Sequence, residues 1–257
     1  MRSGGFAVGV AVLAIAATTA AGCGDGGNDD GGGSDPELTV SAAASLTGAF
    51  EAYGEALPGE ERFSFAGSDE LAAQIRQGAK PDVFASANTT YPEELAAEGL
   101  VGEPVVFAQN ELVIAVPSDS AIDTIDDLAE PDLDLVIGAK GVPVGDYTQD
   151  VLDRLPATEG EAIRANVRSE ESDVKGVIGK VAQGAADAGF VYTSDVAAVS
   201  EDVREVEIPS RLEPRVSYGI AVVEGAAEPE QAQRFVDGLL QGDGLRALTE
   251  AGFLSPR

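Results

Sequence analysis

Histidine is absent from this chain of 257 residues, and cysteine occurs once. The protein therefore has no Ser-His-Asp triad, no Cys-His pair and no zinc site that depends on these side chains. Basic residues are also scarce, with 16 Lys and Arg against 45 Asp and Glu and a formal net charge of -29. Such a charge repels nucleic acids and anionic membranes. The composition excludes the common hydrolase chemistries and argues against a nucleic-acid partner.

The amino terminus has the pattern of an export signal. Arg2 is its first charge, and an apolar run from Phe6 to Ala17 is too short to span a bilayer. We predict a signal peptide over residues 1–22, because the residues before Cys23 resemble a lipoprotein cleavage site. Residues 23–37, rich in Gly, Asp and Asn, are then a lipidated Cys followed by a flexible tether. The alternative is a plain secretory signal with an incidental Cys.

Beyond the tether, strand-like apolar runs alternate with segments of helical spacing. This alternation predicts an α/β fold with mostly parallel sheets flanked by helices. Two similar apolar strands, Glu111–Pro117 and Val216–Val223, are interpreted as crossings between two lobes that hinge about them. The predicted domains are lobe 1, formed by residues 38–110 plus 216–257, and lobe 2, formed by residues 111–215.

Ser45 and Ser68 each follow a short apolar strand and open a helix. A helix start has backbone N–H groups without acceptors and a partial positive charge, so two adjacent starts can hold an anion. Sheets of this kind bind ligands beyond the carboxyl ends of their strands, where both serines are expected. The structural alternative is that each serine is only an N-cap.

Three further features bear on a site. The Gly-rich loop from Gly138 to Asp146 precedes a helix and can present amides to a ligand, although it lacks the nucleotide P-loop pattern. Lys140 in that loop is expected to be solvated. Another helix begins near Asp173, and Tyr192 ends an apolar strand, a position where a tyrosine is usually a core residue.

Five segments in a fixed order resemble a known family. They are AAASLTGAF (42–50), FAGSDELAAQI (65–75), GAKPDVFASA (78–87), GVPVGDY (141–147) and DVKGVIGKVAQGAADAGFVYTSD (173–195). Together they resemble the molybdate-binding components of ABC importers, which are two-lobed type II periplasmic-type solute-binding proteins. The resemblance covers the chain from residue 38 to its end.

The resemblance implies a binding protein and not an enzyme. In that family neutral donors hold the oxyanion, and by motif these are the hydroxyls of Ser45, Ser68 and Tyr192 and the amides of Val144 and Val174. The ligand would be molybdate or tungstate, with molybdenum held only as the oxyanion and no resident cofactor. The resemblance also implies an ABC permease partner and, with Cys23 lipidated, a monomer on the outer face of the cell membrane.

The sequence departs from the family pattern around the expected site. Gly67 and Asp69 flank Ser68 where serines are common, Val144 is bulkier than the usual Ala, and the preceding loop is one residue short. Asp69 would repel a dianion unless its side chain turns to solvent or caps the helix.

Three alternatives remain open. The first is a receptor for another oxyanion, such as sulfate or phosphate, on the same fold. A secreted enzyme with a serine nucleophile would need Lys80 or Lys175 as its base. A structural surface lipoprotein would use both serines only as caps.

Overall fold

The computed structural model describes residues 37–199 and 201–256. The predicted signal peptide, Cys23 and nearly all of the predicted tether lie outside these residues. Among the described helices, none is long and apolar enough to cross a membrane.

The first sheet has five strands within the described chain, in the order β2-β1-β3-β10-β4. Strands β1, β2 and β3 are parallel, and β10 pairs antiparallel with both β3 and β4. The strands are β1 (Leu38–Ala43), β2 (Glu61–Ala66), β3 (Val83–Ser86), β4 (Val105–Asn110) and β10 (Val216–Val222).

The second sheet repeats this plan with five described strands in the order β7-β6-β8-β5-β9. Here β7, β6 and β8 are parallel, and β5 pairs antiparallel with β8 and β9. The strands are β5 (Leu112–Pro117), β6 (Leu135–Gly138), β7 (Val167–Glu171), β8 (Ala188–Tyr192) and β9 (Val203–Glu207).

Helices connect most of the parallel strands, so the carboxyl ends of these strands lead into helix starts. A short 3₁₀ turn, Ala44–Leu46, separates β1 from the first helix. The helices are α1 (Thr47–Gly54), α2 (Ser68–Arg76), α3 (Thr90–Ala97), α4 (Pro143–Arg154), α5 (Ala157–Ala165), α6 (Val174–Ala182), α7 (Thr193–Ala197), α8 (Pro229–Leu240) and α9 (Asp243–Glu250).

The chain passes from the first sheet to the second through a single residue, Glu111, between β4 and β5. It returns through residues 208–215, between β9 and β10. The two strands predicted as crossings are therefore the antiparallel members β5 and β10 of different sheets, and the crossings themselves lie just before them. The two strands do not pair with each other.

The core of the first lobe is built around aromatic side chains. Phe50 and Tyr53 are buried on one face of α1, as their spacing predicts. The Phe50 ring meets that of Phe235 on α8 edge to face at 5.4 Å, an arrangement that adds about 0.5–1.5 kcal/mol to simple burial. The C-terminal helices thus pack on the first lobe, with α9 against α1.

A buried aspartate joins three elements at the other end of this sheet. Asp82 accepts hydrogen bonds from the Thr39 amide at 2.8 Å and from the Glu228 amide at 2.9 Å. Burial raises the pKa of Asp82, but the hydrogen bonds from Thr39 and Glu228 outweigh it and hold the pKa below its ordinary value. Asp82 is therefore a satisfied buried charge.

Candidate functional site

A small cavity lies where helix starts from both sheets face each other. Its volume is about 20 Å³, far below the roughly 300–1,000 Å³ of sites for drug-sized ligands. Its remaining lining is mostly Ala, Gly, Val and Pro, and no Lys or Arg of the described chain lines it. All five predicted site residues line it: Ser45, Ser68, Val144, Val174 and Tyr192.

The two serines lie on the first-lobe side of the cavity, and both are buried. Ser68 is the first residue of α2, and its Oγ accepts a hydrogen bond from the Ala87 amide at 3.0 Å. Ser45 lies in the 3₁₀ turn before α1, and its Oγ is 3.0 Å from the hydroxyl oxygen of Tyr218. Neither serine side chain caps its helix. The N-cap alternative is therefore wrong for both residues.

Backbone amides dominate the second-lobe side. Val144 is the second residue of α4 and Val174 is the first residue of α6, so their N–H groups have no acceptor within their helices. The loop before α4 packs closely against the first turn of this helix: a Cβ on Gly145 would lie 2.2 Å from the Ala139 carbonyl oxygen. Only glycine lets this loop close onto the start of α4.

Tyr192 supplies a side-chain hydroxyl to the same cavity. The residue is 1% exposed, and no described residue accepts from or donates to its hydroxyl. Burial raises the pKa of Tyr192 well above its ordinary value, so the hydroxyl keeps its proton near neutral pH. A buried hydroxyl without a partner is costly, by about 1–3 kcal/mol. This cost would be relieved by a ligand that accepts a hydrogen bond.

Behind Tyr192, the buried Asp195 forms an ion pair with Lys175, whose side chain is partly exposed. Asp195 Oδ2 accepts the Tyr192 amide at 3.2 Å, and Lys175 Nζ is 3.6 Å from Asp195 Oδ1. Burial raises the pKa of Asp195 to about 6, although Lys175 opposes this shift. Sequence reasoning did not identify this pair, since neither residue differs in pattern from an ordinary surface charge.

Two acidic residues lie close to the cavity: Asp173 lines it, and Asp69 lies next to its lining. Asp173 is the N-cap of α6, where its Oδ1 accepts the Gly176 amide at 3.0 Å. Asp69 does not line the cavity, and its buried Oδ1 has no hydrogen-bond partner among the described residues. A Cβ on Gly67, which lines the cavity, would lie 2.7 Å from Asp69 Oδ1, so neither distance nor helix capping removes the predicted repulsion between Asp69 and a dianion.

Hydrogen bonds between the lobes hold the cavity closed. The Tyr91 hydroxyl on α3 donates to the Gly141 carbonyl oxygen at 2.5 Å. Near the crossing, Asn110 Nδ2 donates to Ser194 Oγ at 2.8 Å. Burial, followed by the charge of Asp69, raises the pKa of Tyr91 to about 12, so this hydroxyl remains a donor.

The sequence profile of the bacterial extracellular solute-binding proteins matches residues 38–254. The chain is 39% identical over 227 residues to the molybdate-binding protein ModA of Mycobacterium tuberculosis strain H37Rv, with 85% of each chain covered. The profile match spans both sheets and the cavity.

Two solved structures are similar in fold. The periplasmic molybdate-binding protein of Azotobacter vinelandii superposes with a TM-score of 0.77 at 22% identity, covering 86% of this chain and 100% of that one. The sulfate-binding protein SubI of M. tuberculosis H37Rv superposes with a TM-score of 0.74 at 15% identity, covering 84% of this chain and 86% of that one. The predicted two-lobed periplasmic-binding-protein fold is confirmed, and the same fold occurs in binders of different oxyanions.

Proposed function

Because this chain belongs to the bacterial extracellular solute-binding protein family, we propose that it captures molybdate in the cavity between its lobes and delivers it to an ABC permease. The resemblance seen in the five sequence motifs agrees with the 39% identity to a protein named as a molybdate-binding ModA. The proposal assigns hydrogen bonding to the hydroxyls of Ser45, Ser68 and Tyr192 and to the amides of Val144 and Val174.

The unpartnered hydroxyl of Tyr192 is the observation that carries this proposal. It is buried and protonated at neutral pH, and it belongs to a residue that lines the cavity between the helix starts. Every group assigned to the site is a neutral donor, so the site favours a ligand whose surface consists only of acceptors. A fully deprotonated tetrahedral oxyanion has such a surface.

Molybdate meets this requirement because it is doubly deprotonated near neutral pH. Phosphate, which often carries a proton there, would direct its own O–H at a donor. The oxyanion is the cargo, so the proposed function needs no resident cofactor. Five or six hydrogen bonds to a charged ligand contribute about 1.5–3 kcal/mol each. Their sum is comparable to or larger than the roughly 4–15 kcal/mol that association costs.

The net charge of -29 does not oppose such binding. At 0.1 M salt, exposed charges more than about 10 Å away are largely screened. The helix-start amides of Val144 and Val174 lie at the cavity itself, and their dipoles act on the ligand directly. Local donors therefore outweigh the distant carboxylates.

Delivery to a permease requires that ligand binding shifts the equilibrium between the open and the closed arrangement of the lobes. Donors from both lobes reach one cavity, so a bound anion stabilises the closed arrangement by its contacts to both sides. The contacts between Tyr91 and Gly141 and between Asn110 and Ser194 close the same cleft. A permease that docks the closed form would thereby select loaded protein.

The proposal includes anchoring and assembly. Cys23 would carry the lipid and residues 24–37 would separate the domain from the outer face of the membrane, with the protein acting as a monomer. Metabolic labelling with a fatty acid, compared between the wild type and Cys23→Ala, tests the anchor. Absence of label in both would leave a secreted, unanchored receptor.

The direct test is calorimetric titration of the chain from residue 24 onward with molybdate, tungstate, sulfate and phosphate. We expect one-to-one binding of molybdate with micromolar or tighter affinity, equal or near-equal binding of tungstate, and much weaker binding of phosphate. A preference for sulfate would support the alternative oxyanion receptor, because sulfate is also fully deprotonated and differs mainly in size. Silence toward all four anions would refute the proposed function. We expect no ester hydrolysis in the same samples.

A further inference from the structure

Gly67 lies at a point of the cavity where the backbones of the two lobes approach each other closely. It lines the cavity and directly precedes Ser68, the first residue of α2. A Cβ on Gly67 would lie 2.4 Å from the Ser172 carbonyl oxygen. Ser172 belongs to the second lobe and lies in the short connection between β7 and α6. The contact therefore joins the segment that carries one proposed donor, Ser68, to the segment that carries another, Val174.

The glycine is needed here for space and not for its backbone conformation. Gly67 has a φ of -59° and a ψ of 139°, values in a region that every L-residue can adopt. An alanine at this position would therefore cause no backbone strain. Its Cβ, however, could not stay at 2.4 Å from an oxygen, since Cβ atoms essentially never approach another heavy atom within 3.0 Å. A neighbouring group must move to make room.

Two atoms lie within 3 Å of such a Cβ, and only one of them can move by itself. Asp69 Oδ1, at 2.7 Å, is the end of a side chain that can rotate away. The Ser172 carbonyl belongs to the main chain, whose neighbouring residues are hydrogen-bonded within the second lobe. On one side, the Glu171 carbonyl oxygen accepts the Ala139 amide at 2.8 Å. On the other side, the Asp173 side chain caps α6.

Gly67 is fixed in the first lobe in a similar way. Its carbonyl oxygen accepts the Leu71 amide at 3.0 Å, in the first turn of α2. The next residue, Ser68, accepts the Ala87 amide through its Oγ. Because both segments are fixed in their own lobes, a clash between a side chain at residue 67 and Ser172 is relieved by moving one lobe away from the other.

We propose that Gly67 is a positioning residue that sets how far the two lobes close over the oxyanion. The absence of a side chain lets the Ser172 carbonyl approach, so that donors from both lobes reach one small ligand. A side chain at residue 67 would hold the lobes apart at the cavity and destabilise the closed arrangement. This inference rests on the proposed oxyanion-binding function. It predicts that Gly67 and the interlobe hydrogen bond of Tyr91 act on the same closing motion, although they lie on different elements.

The first test compares molybdate binding by the wild type, Gly67→Ala and Gly48→Ala, with affinities from calorimetry and rates from stopped flow. Gly67→Ala should weaken binding about tenfold, mostly through faster dissociation. The melting temperature of the unliganded protein should stay the same or rise. Gly48→Ala is the matched control. It adds the same methyl group near the start of α1, where nothing lies within 4 Å of the new Cβ, and should leave both rates unchanged.

The second test separates an effect on closure from a direct clash with the ligand. Tyr91→Phe should raise the dissociation rate about three- to tenfold in the wild type. It should have little further effect in Gly67→Ala, since lobes that are held apart have already lost the bond to Gly141. A methyl group that only obstructs the ligand would leave the effect of Tyr91→Phe intact. In an Asp69→Ala background, Gly67→Ala should keep its full effect, because the contact with Ser172 is still there.

The outcomes separate the two proposals. Wild-type protein that binds none of molybdate, tungstate, sulfate and phosphate overturns the proposed function and this inference with it. If the wild type binds molybdate and Gly67→Ala binds it equally well, only the role of Gly67 in closure is overturned. Full additivity of Gly67→Ala and Tyr91→Phe would also overturn that role, since residue 67 would then act on the ligand alone. So would loss of the Gly67→Ala effect in the Asp69→Ala background, which would place the clash within the first lobe.

Discussion

The two sides of the cavity differ in how well their polar groups are satisfied. On the first-lobe side, Ser45 and Ser68 each have a hydrogen-bond partner within their own lobe. On the second-lobe side, Tyr192 also lines the cavity, and its hydroxyl has no hydrogen-bond partner among the described residues. Three buried atoms outside the lining lack partners as well: Asp69 Oδ1 in the first lobe, and Thr193 Oγ1 and Asp195 Oδ1 in the second. The first side is preorganised, whereas the second retains unmet hydrogen-bonding capacity. Ligand binding should therefore stabilise the second side more than the first.

The largest expected effect comes from relieving the buried charge of the second side. The folded-state pKa of Asp195 is about 6 against an ordinary value of 3.8, so the folded protein binds more protons between these values and its stability falls as pH rises through them. Asp195→Asn cannot ionise. Relative to the wild type, it should gain up to about 3 kcal/mol of unfolding free energy between pH 4 and pH 7.

Denaturant unfolding of the two proteins across that pH range measures this difference, and the contributions of the other carboxylates largely cancel. Asn keeps an oxygen that can accept the Tyr192 amide. A stability difference that does not vary with pH would mean that the Asp195–Lys175 pair compensates fully for burial.

Ser68→Ala perturbs the satisfied side in two ways at once. It removes a proposed ligand donor and leaves the Ala87 amide without an acceptor. We expect oxyanion affinity to fall about 10- to 100-fold, or roughly 1.4–2.7 kcal/mol, together with a lower melting temperature of the unliganded protein. Calorimetry and thermal unfolding on the same samples check both. Unchanged affinity would remove Ser68 from the site.

Tyr192→Phe perturbs the unsatisfied side and should separate affinity from stability. It deletes a hydroxyl that has no partner in the described chain, so the unliganded protein should be as stable as the wild type or about 1 kcal/mol more stable. Oxyanion affinity should still fall about tenfold. If affinity is unaltered, Tyr192 is only a packing residue.

The smallest expected effect concerns the interlobe hydrogen bond between Tyr91 and Gly141. Tyr91→Phe removes the hydrogen bond to the Gly141 carbonyl oxygen but keeps the ring. Loss of about 0.5–1.5 kcal/mol from the closed form should raise the ligand dissociation rate about three- to tenfold with little change in the association rate. Stopped-flow measurement of both rates is the check. A slower association rate instead would indicate that Tyr91 acts in ligand entry.

Sequence patterns were sufficient for the architecture and for the gathering of the five candidate residues. Strand-to-helix transitions at Ser45 and Ser68 predicted their placement at carboxyl strand ends, and the structure brings both to one cavity with Tyr192. Helix limits are less accurate when read from the pattern alone: the apolar spacing of Phe50, Tyr53 and Leu57 predicts a helix as far as Leu57, but α1 ends at Gly54.

Hydrogen-bond partners could not be predicted from the chain. Ser68 meets Ala87 and Ser45 meets Tyr218 across long sequence separations, and an N-cap pattern looks the same whether or not the side chain turns back to its helix. Tyr218 lies in the apolar strand β10, where a tyrosine has no sequence feature that distinguishes it from a core ring. The role of such residues depends on which strand ends meet, and that is a property of the assembled sheets.

Only Glu111 separates the two strands at the first crossing, and its neighbour Asn110 donates a hydrogen bond to Ser194 in the other lobe. Any rotation of one lobe against the other must twist the backbone at this point and draw the Asn110 amide away from Ser194. Opening would then break an interlobe hydrogen bond at the crossing itself, at the moment when the anion has to leave. The hinge and an interlobe hydrogen bond of the closed form would thus involve the same side chain, so the protein would retain its ligand only while the lobes are closed.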